Sequence, residues 1–326
     1  MIRFGIIGCG THGGRYLKHL AQGDVGGARP VAIWRRDQEK AQGMAMRFGV
    51  QSYERWRELI ADPVVDALVV ATPPGLRTEI LDVATRAGKP VLVEKPLAAT
   101  LEQALELRRR LPPGGRVMMA HTQRFNPAII EAKVRMADLG EIHRIRIAQR
   151  LQPSDLAWQR DASLAGGGSI TLTGVHGFDL LRWLVGEGPD KVSARTLTLL
   201  DHPFENLFDA RLEYLGRPLM ASCEVAKFSD SRSALLELVG TRGQIWVDFL
   251  AGWVGWLSGR GEPAMLSEPG DPPTIPPTLD AFCKWVKEGG ECPMPLDDGV
   301  ESLRIADACY RSDAKGGIPV LVNPDG

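Results

Sequence analysis

Three closely spaced glycines near the start of the chain, and a pair of arginines after the next apolar run, are the first groups whose types and spacing imply chemistry. Gly8-Cys9-Gly10-Thr11-His12-Gly13 follows an apolar, β-branched run at residues 2–8 and precedes a helical pattern at residues 15–21. In that context G-x-G-x-x-G has a mechanical meaning. Gly8 permits a tight turn, Gly10 lets the backbone approach a pyrophosphate, and Gly13 lets helix and strand pack closely. With Thr11 and His12 completing the loop, the helix start offers free N–H groups and a positive dipole end to phosphates. The second apolar run, residues 30–34, ends in Trp34-Arg35-Arg36-Asp37. A site for NAD usually has an acidic residue there to accept the ribose hydroxyl hydrogen bonds. Two guanidinium groups instead suit a 2′-phosphate, with Trp34 or an arginine plane against adenine. The other reading leaves Arg35 and Arg36 in solvent and makes Asp37 the cap of a helix at residues 38–47. The charge pattern favours NADP, with NAD as the alternative.

The elements that must position these groups alternate regularly. Strand-like runs at residues 64–71, 90–93 and 116–120 are separated by helical patterns at 77–87 and 101–111. That order predicts an α/β fold with a doubly wound parallel sheet, a Rossmann domain. Functional groups of such sheets gather at the carboxyl ends of strands, where Gly8, Thr72-Pro73, Glu94-Lys95 and His121 all fall.

Bulk properties bound the rest. A chain of 326 residues is expected to form two domains, and a formal charge of −1 gives no general attraction to nucleic acid or an anionic membrane. Five scattered cysteines contain no C-x-x-C pair, so neither a metal site nor a dithiol motif is expected, and the thiols read as reduced. No apolar stretch reaches the length of a membrane helix, and the N-terminus runs straight into a strand, which together predict a cytoplasmic protein.

Several segments in order resemble the glucose-fructose oxidoreductase, inositol dehydrogenase and MocA family. They are Ala71-Thr72-Pro73-Pro74, the run from Ala87 through Glu94-Lys95-Pro96, Arg124-Phe125-Asn126-Pro127, Trp158, the run from Gly166 through His176 to Asp179, and the tail from Asp298 to Ser312. The resemblance implies a Rossmann domain, residues 1–121, followed by an α+β domain, residues 122–326, on a large, open, mostly antiparallel sheet. The tail 294–326 could return to the first domain. Strand-like runs at 142–151, 191–200, 209–214, 219–225, 234–239 and 244–249 agree with that sheet independently. Residues 263–277, rich in proline, glycine and acidic groups, read as a surface loop before a helix at 278–288.

The resemblance also implies a site. Lys95 is the group that takes or gives a hydroxyl proton beside a nicotinamide, and the Lys95–Pro96 bond is expected to be cis. Glu94 either orients Lys95 or fixes the loop. His176 lies on a helix from about residue 169 or 170, where catalytic relatives carry an aspartate four residues earlier. Here that position is Leu172, and Thr173 is the neighbour on the histidine's face. Without the carboxylate, His176 is left as a substrate ligand or a helix histidine. Arg77 replaces a frequent histidine and is read as a contact of cofactor phosphate or of solvent. Arg124, Trp158 and Arg160 are expected to line a substrate pocket, with Arg124 alternatively holding the domain junction. The implied activity is an NAD(P)-dependent dehydrogenase or reductase acting on a sugar, cyclitol or related carbonyl compound. The alternatives are a reductase of imines or other non-sugar acceptors and a non-catalytic NADP-binding sensor. The expected partners are the small-molecule substrate and further copies of the chain, as a homodimer or homotetramer formed through the C-terminal sheet.

Overall fold

The five apolar runs of the first 120 residues become β1 (Ile2–Ile7), β2 (Ala28–Trp34), β4 (Ala67–Val70), β5 (Val91–Glu94) and β6 (Val117–Ala120), and a sixth strand that no apolar run marked, β3 (Gln51–Tyr53), is a short polar segment on the sheet edge. The structure is a computed structural model that describes residues 1–267, 270–271 and 273–324. The six strands pair in the order β3-β2-β1-β4-β5-β6, and every pairing is parallel. All residues of β4, β5 and β6 are buried, as expected where both faces of a parallel sheet are covered. The chain reverses its direction of winding between β1 and β4. The carboxyl ends of strands at such a switch point are where open α/β sheets usually bind ligands.

The chain divides into two compact units: Met1–Thr122 with Thr274–Val300, and Gln123–Pro273 with Glu301–Gly326. The returning segment of the first unit thus starts at Thr274, well before residue 294, and ends at Val300. Its helix, Ile275–Glu288, places Phe282 against Phe4 of β1, ring centroids 5.8 Å apart. Both rings are fully buried, so this segment is part of the core of the Rossmann unit. The long helix Leu296–Ala314 begins in the first unit and continues in the second.

The second unit is built on nine strands: β7 (Ile142–Arg150), β8 (Lys191–Leu197), β9 (Leu207–Glu213), β10 (Met220–Ala226), β11 (Ser233–Gly240), β12 (Gly243–Asp248), β13 (Trp253–Ser258), β14 (Ala264–Ser267) and β15 (Val320–Leu321). Their order is β14-β13-β12-β11-β7-β10-β9-β8-β15, and only β7 and β10 run parallel. In β9, Phe208, Ala210 and Leu212 are buried while Asp209 and Arg211 are exposed, the alternation of a sheet with one covered face. The helix Val175–Val185 covers that face. A Cβ on Gly177 would lie 2.5 Å from the Cys223 sulfur, so only glycine allows the helix this close to β10.

Three features depart from the sequence-based expectation. β13 is punctuated by Gly255 and β15 has two residues, so neither carries a readable alternation. Residues 263–277 are not one loop: β14 pairs with β13, and the following helix starts at Ile275 with prolines in its first turn, where a missing N–H costs nothing. Glu268, Pro269 and Pro272 of that stretch lie outside the described residues. Among the described residues, no helix is long and apolar enough to cross a membrane.

Candidate active site

In the first unit the glycine loop is folded for close approach. Gly8 has φ +92°, its N–H and that of Cys9 donate to the Trp34 carbonyl at 3.0 and 3.1 Å, and a Cβ there would be 2.6 Å from the Thr72 nitrogen. A Cβ on Gly13 would run into the Gly8 carbonyl, whereas the space around Gly10 is open. The helix Thr11–Gln22 starts at Gly10 with no side-chain cap. Free amide groups, a positive helix end and an open backbone surface together fit a pyrophosphate. Cys9 inside this loop is inert: burial pushes its thiol up to about 12, against the pull of Arg35.

The end of β2 sorts the two arginine readings. Asp37 accepts the Lys40 amide at 3.1 Å and caps the helix Gln38–Phe48, so the helix-capping role is real. Arg35 is half-buried, its guanidinium 3.4 Å from the Cys9 carbonyl and 3.7 Å from the Met44 sulfur, which places a cation beside the glycine loop. Arg36 is exposed, and the Trp34 indole donates to the Glu54 carbonyl at 3.1 Å.

At the carboxyl ends of β4 and β5 a polar shelf surrounds Lys95. The Lys95–Pro96 bond is cis. Glu94 is buried and accepts a 2.9 Å hydrogen bond from the hydroxyl of Tyr16, which is fully buried and whose pKa is pushed well above its ordinary value by burial and by Glu94. His12 is exposed by surface area, yet desolvation still lowers its imidazole pKa. Glu94 opposes that shift, and Lys95, Arg15 and Arg77 add to it.

Arg77 is not the solvent contact that was one of its two readings. It is 4% exposed, donates through Nε and Nη2 to the Thr72 carbonyl at 2.9 and 2.6 Å, and through Nη1 to the carbonyls of Glu94 and Pro96. Burial brings the guanidinium down to about 10, with Glu94 and Tyr16 opposing, so it stays charged near neutral pH.

In the second unit His176 is half-buried one residue into the helix Val175–Val185, and the turn before it, Ile170–Gly174, is a π-helix. A π turn bonds i to i+5 and is wider than an α turn, which keeps an i, i+4 pair such as Leu172 and His176 near one face and turns an i+3 neighbour such as Thr173 away from it. Leu172 and Thr173 are both buried, at 7% and 5% exposure.

The π turn is tied down by groups the sequence did not disclose. Glu205 Oε1 accepts from the Ile170 amide and from the Tyr310 hydroxyl, both at 2.9 Å, and Thr171 Oγ1 is 3.1 Å from Tyr310 Oη. Burial raises the Glu205 carboxyl above its ordinary value, and it lowers the ammonium of neighbouring Lys227. Tyr310 belongs to the tail segment that carries part of the family resemblance. Glu205 had no signal beyond being an acid between apolar strands.

The remaining expected pocket residues divide. Arg124 forms a bidentate pair with Asp179 at 2.9 and 2.5 Å, with side chains 9% and 1% exposed. The pair lies within the second unit and ties Arg124 to the helix that carries His176. Trp158 is half-buried on the turn Ala157–Arg160, and Arg160 is exposed and donates to the Asp201 carbonyl at 2.7 Å.

Known proteins resemble this chain in the same two parts. Residues 2–121 match the family model described as an oxidoreductase family with an NAD-binding Rossmann fold, and residues 130–246 match the GFO/IDH/MocA C-terminal domain. The chain belongs to the GFO/IDH/MocA oxidoreductase family. It is 36% identical to inositol 2-dehydrogenase 2 of Saccharopolyspora erythraea, with 99% of this chain and 96% of that one covered. A levoglucosan dehydrogenase in complex with NADH and levoglucosan superposes with a TM-score of 0.88 at 24% identity, covering 98% and 99% of the two chains. An aldose-aldose oxidoreductase from Caulobacter crescentus gives 0.87 at 26% identity over the same shares. The protein joins an NAD-binding Rossmann unit to a second unit with a mostly antiparallel sheet.

Proposed function

We propose that this protein moves hydride between NADP and a hydroxyl-bearing carbon of a sugar, cyclitol or related carbonyl compound, with Lys95 as the proton donor and acceptor. The observation that carries the reading is the shelf around Lys95. The lysine stands at the carboxyl end of β5, its flanking carbonyls are held by Arg77, and the same end of the sheet bears the open glycine loop. The nicotinamide, when bound, supplies or receives the hydride. Glu94, held by Tyr16, precedes the lysine and steadies the loop that carries it, and the Lys95 amine takes the hydroxyl proton on oxidation or returns it on reduction. His176 binds the substrate's hydroxyl or carbonyl and, with Leu172 at the aspartate position, acts as an auxiliary. Leu172 also keeps a second acceptor class, imines and other non-sugar carbonyls, in view. The relatives named for inositol and for aldoses support the substrate class.

Arg35 beside the glycine loop, with Arg36 following it, supports NADP over NAD. The uncovered face of the nine-stranded sheet supports self-association. Leu235 and Met220 alternate with buried neighbours and are 40% and 49% exposed, and Met265 on the edge strand β14 is 60% exposed.

Fluorescence titration with NADP⁺ and NAD⁺, followed by rates across inositols, aldoses and ketones, tests the reading. NADP⁺ should bind at least about tenfold tighter, a difference of about 1.4 kcal/mol. Equal or tighter binding of NAD⁺ overturns the cofactor preference. Absence of binding to either overturns the oxidoreductase reading.

A further inference from the structure

We propose that Arg77 is a positioning residue for Lys95, acting through the backbone on both sides of it. This rests on the reading of Lys95 as the proton-transfer group. The two carbonyls that bracket the lysine, Glu94 and Pro96, both accept from Nη1 of one guanidinium, while Nε and Nη2 of the same group hold the Thr72 carbonyl. One planar cation therefore ties the last residue of β5, the proline after the lysine and the loop after β4 into a single rigid body.

Arginine suits the task because its donors diverge in a fixed plane. Neutral histidine has one ring N–H to give, and an ammonium offers three rotatable donors without a preset direction. Thr72 follows directly on the β4 loop, and its amide nitrogen faces the Gly8 turn. The clamp thus sets the place of Lys95 relative to the glycine loop, all within the first unit. The cost of burying a cation here is offset by its carbonyl partners and by the nearby Glu94 carboxylate.

The test compares Arg77→Met, Arg77→Lys and Arg77→His with the native chain. Trace acetylation by acetic anhydride is followed by peptide mass spectrometry, and Lys95 labelling is read against Lys40, whose side chain is 66% exposed. The Lys95:Lys40 ratio, followed over pH, should change at least about threefold in Arg77→Met and return part of the way in Arg77→Lys. With a turned-over substrate, kcat should fall about 10- to 100-fold while KM moves less than about threefold, as expected when a reacting group is misplaced and substrate binding is left intact. If Arg77→Met does not fold, the Lys and His variants carry the measurement. A folded variant whose melting temperature drops while the labelling ratio keeps its value and pH profile overturns the proposal. Labelling needs no substrate, so a native chain that turns over nothing in the panel counts against the Lys95 reading alone.

Discussion

Most of the chemistry at residue scale depends on which polar groups are buried and with whom. Leu172 is packed at the position where a carboxylate would be expected. Leu172→Asp should therefore destabilise the protein by about 1–3 kcal/mol, the cost of burying a polar group without a prepared partner, read as a lower melting temperature. A variant of unchanged stability with new activity on cyclitols would show instead that the pocket still accommodates the carboxylate. Glu205 yields a signed pH dependence. Its folded pKa is raised, so its contribution to stability is present below the ordinary carboxylate value and is lost as pH rises through the raised one. Glu205→Gln keeps an acceptor for Ile170 and Tyr310 and should flatten the fall in melting temperature between acid and neutral pH. An unchanged slope would contradict this. At the end of β2, Arg35→Ala should weaken NADP⁺ about tenfold and NAD⁺ little, checked by the same fluorescence titration. The glycine loop, Lys95 and His176 were all readable as residues, because each stands in a short motif. Arg77 was readable as a residue but its carbonyl partners were not, and Glu205 was not readable at all, since those partners are brought close only by the fold.

At the scale of elements, the regular alternation of the first unit was legible because buried parallel strands are continuous apolar runs closed by loops. The second sheet was legible over six strands, from β7 to β12, and lost at its edges, where β13 carries a glycine and β14 runs into a proline-rich stretch. The π turn at Ile170–Gly174 could not be read at all: sequence periodicity assumes one helical pitch, and the extra residue is held by Glu205 and Tyr310 from distant parts of the chain. The close approach of the following helix to β10 gives an element-scale prediction. Gly177→Val should cost about 1–3 kcal/mol through overpacking against Cys223 and Ile147, measured by denaturant unfolding. A neutral result would mean that the helix can lift from the sheet.

For the molecule as a whole, the chain leaves the Rossmann unit after Thr122 and returns to it at Thr274. Composition could not show this, because the returning helix is an ordinary amphipathic segment whose partner, Phe4, lies at the other end of the chain. The exposed apolar residues of the nine-stranded sheet belong to the same scale. Light scattering should give a mass of at least two chains, and Met265→Asp should shift it toward one. A native monomer would contradict self-association through that face. Everything proposed for the reaction turns on Lys95 carrying the proton in a hydride transfer. Its most direct test is the rate of NADPH formation by native protein and by Lys95→Ala on the best substrate of the panel, with NADP⁺ affinity measured alongside. The expected result is a loss of about 10²–10⁴-fold in kcat with nucleotide affinity nearly unchanged. A Lys95→Ala protein that turns over at the native rate would contradict it.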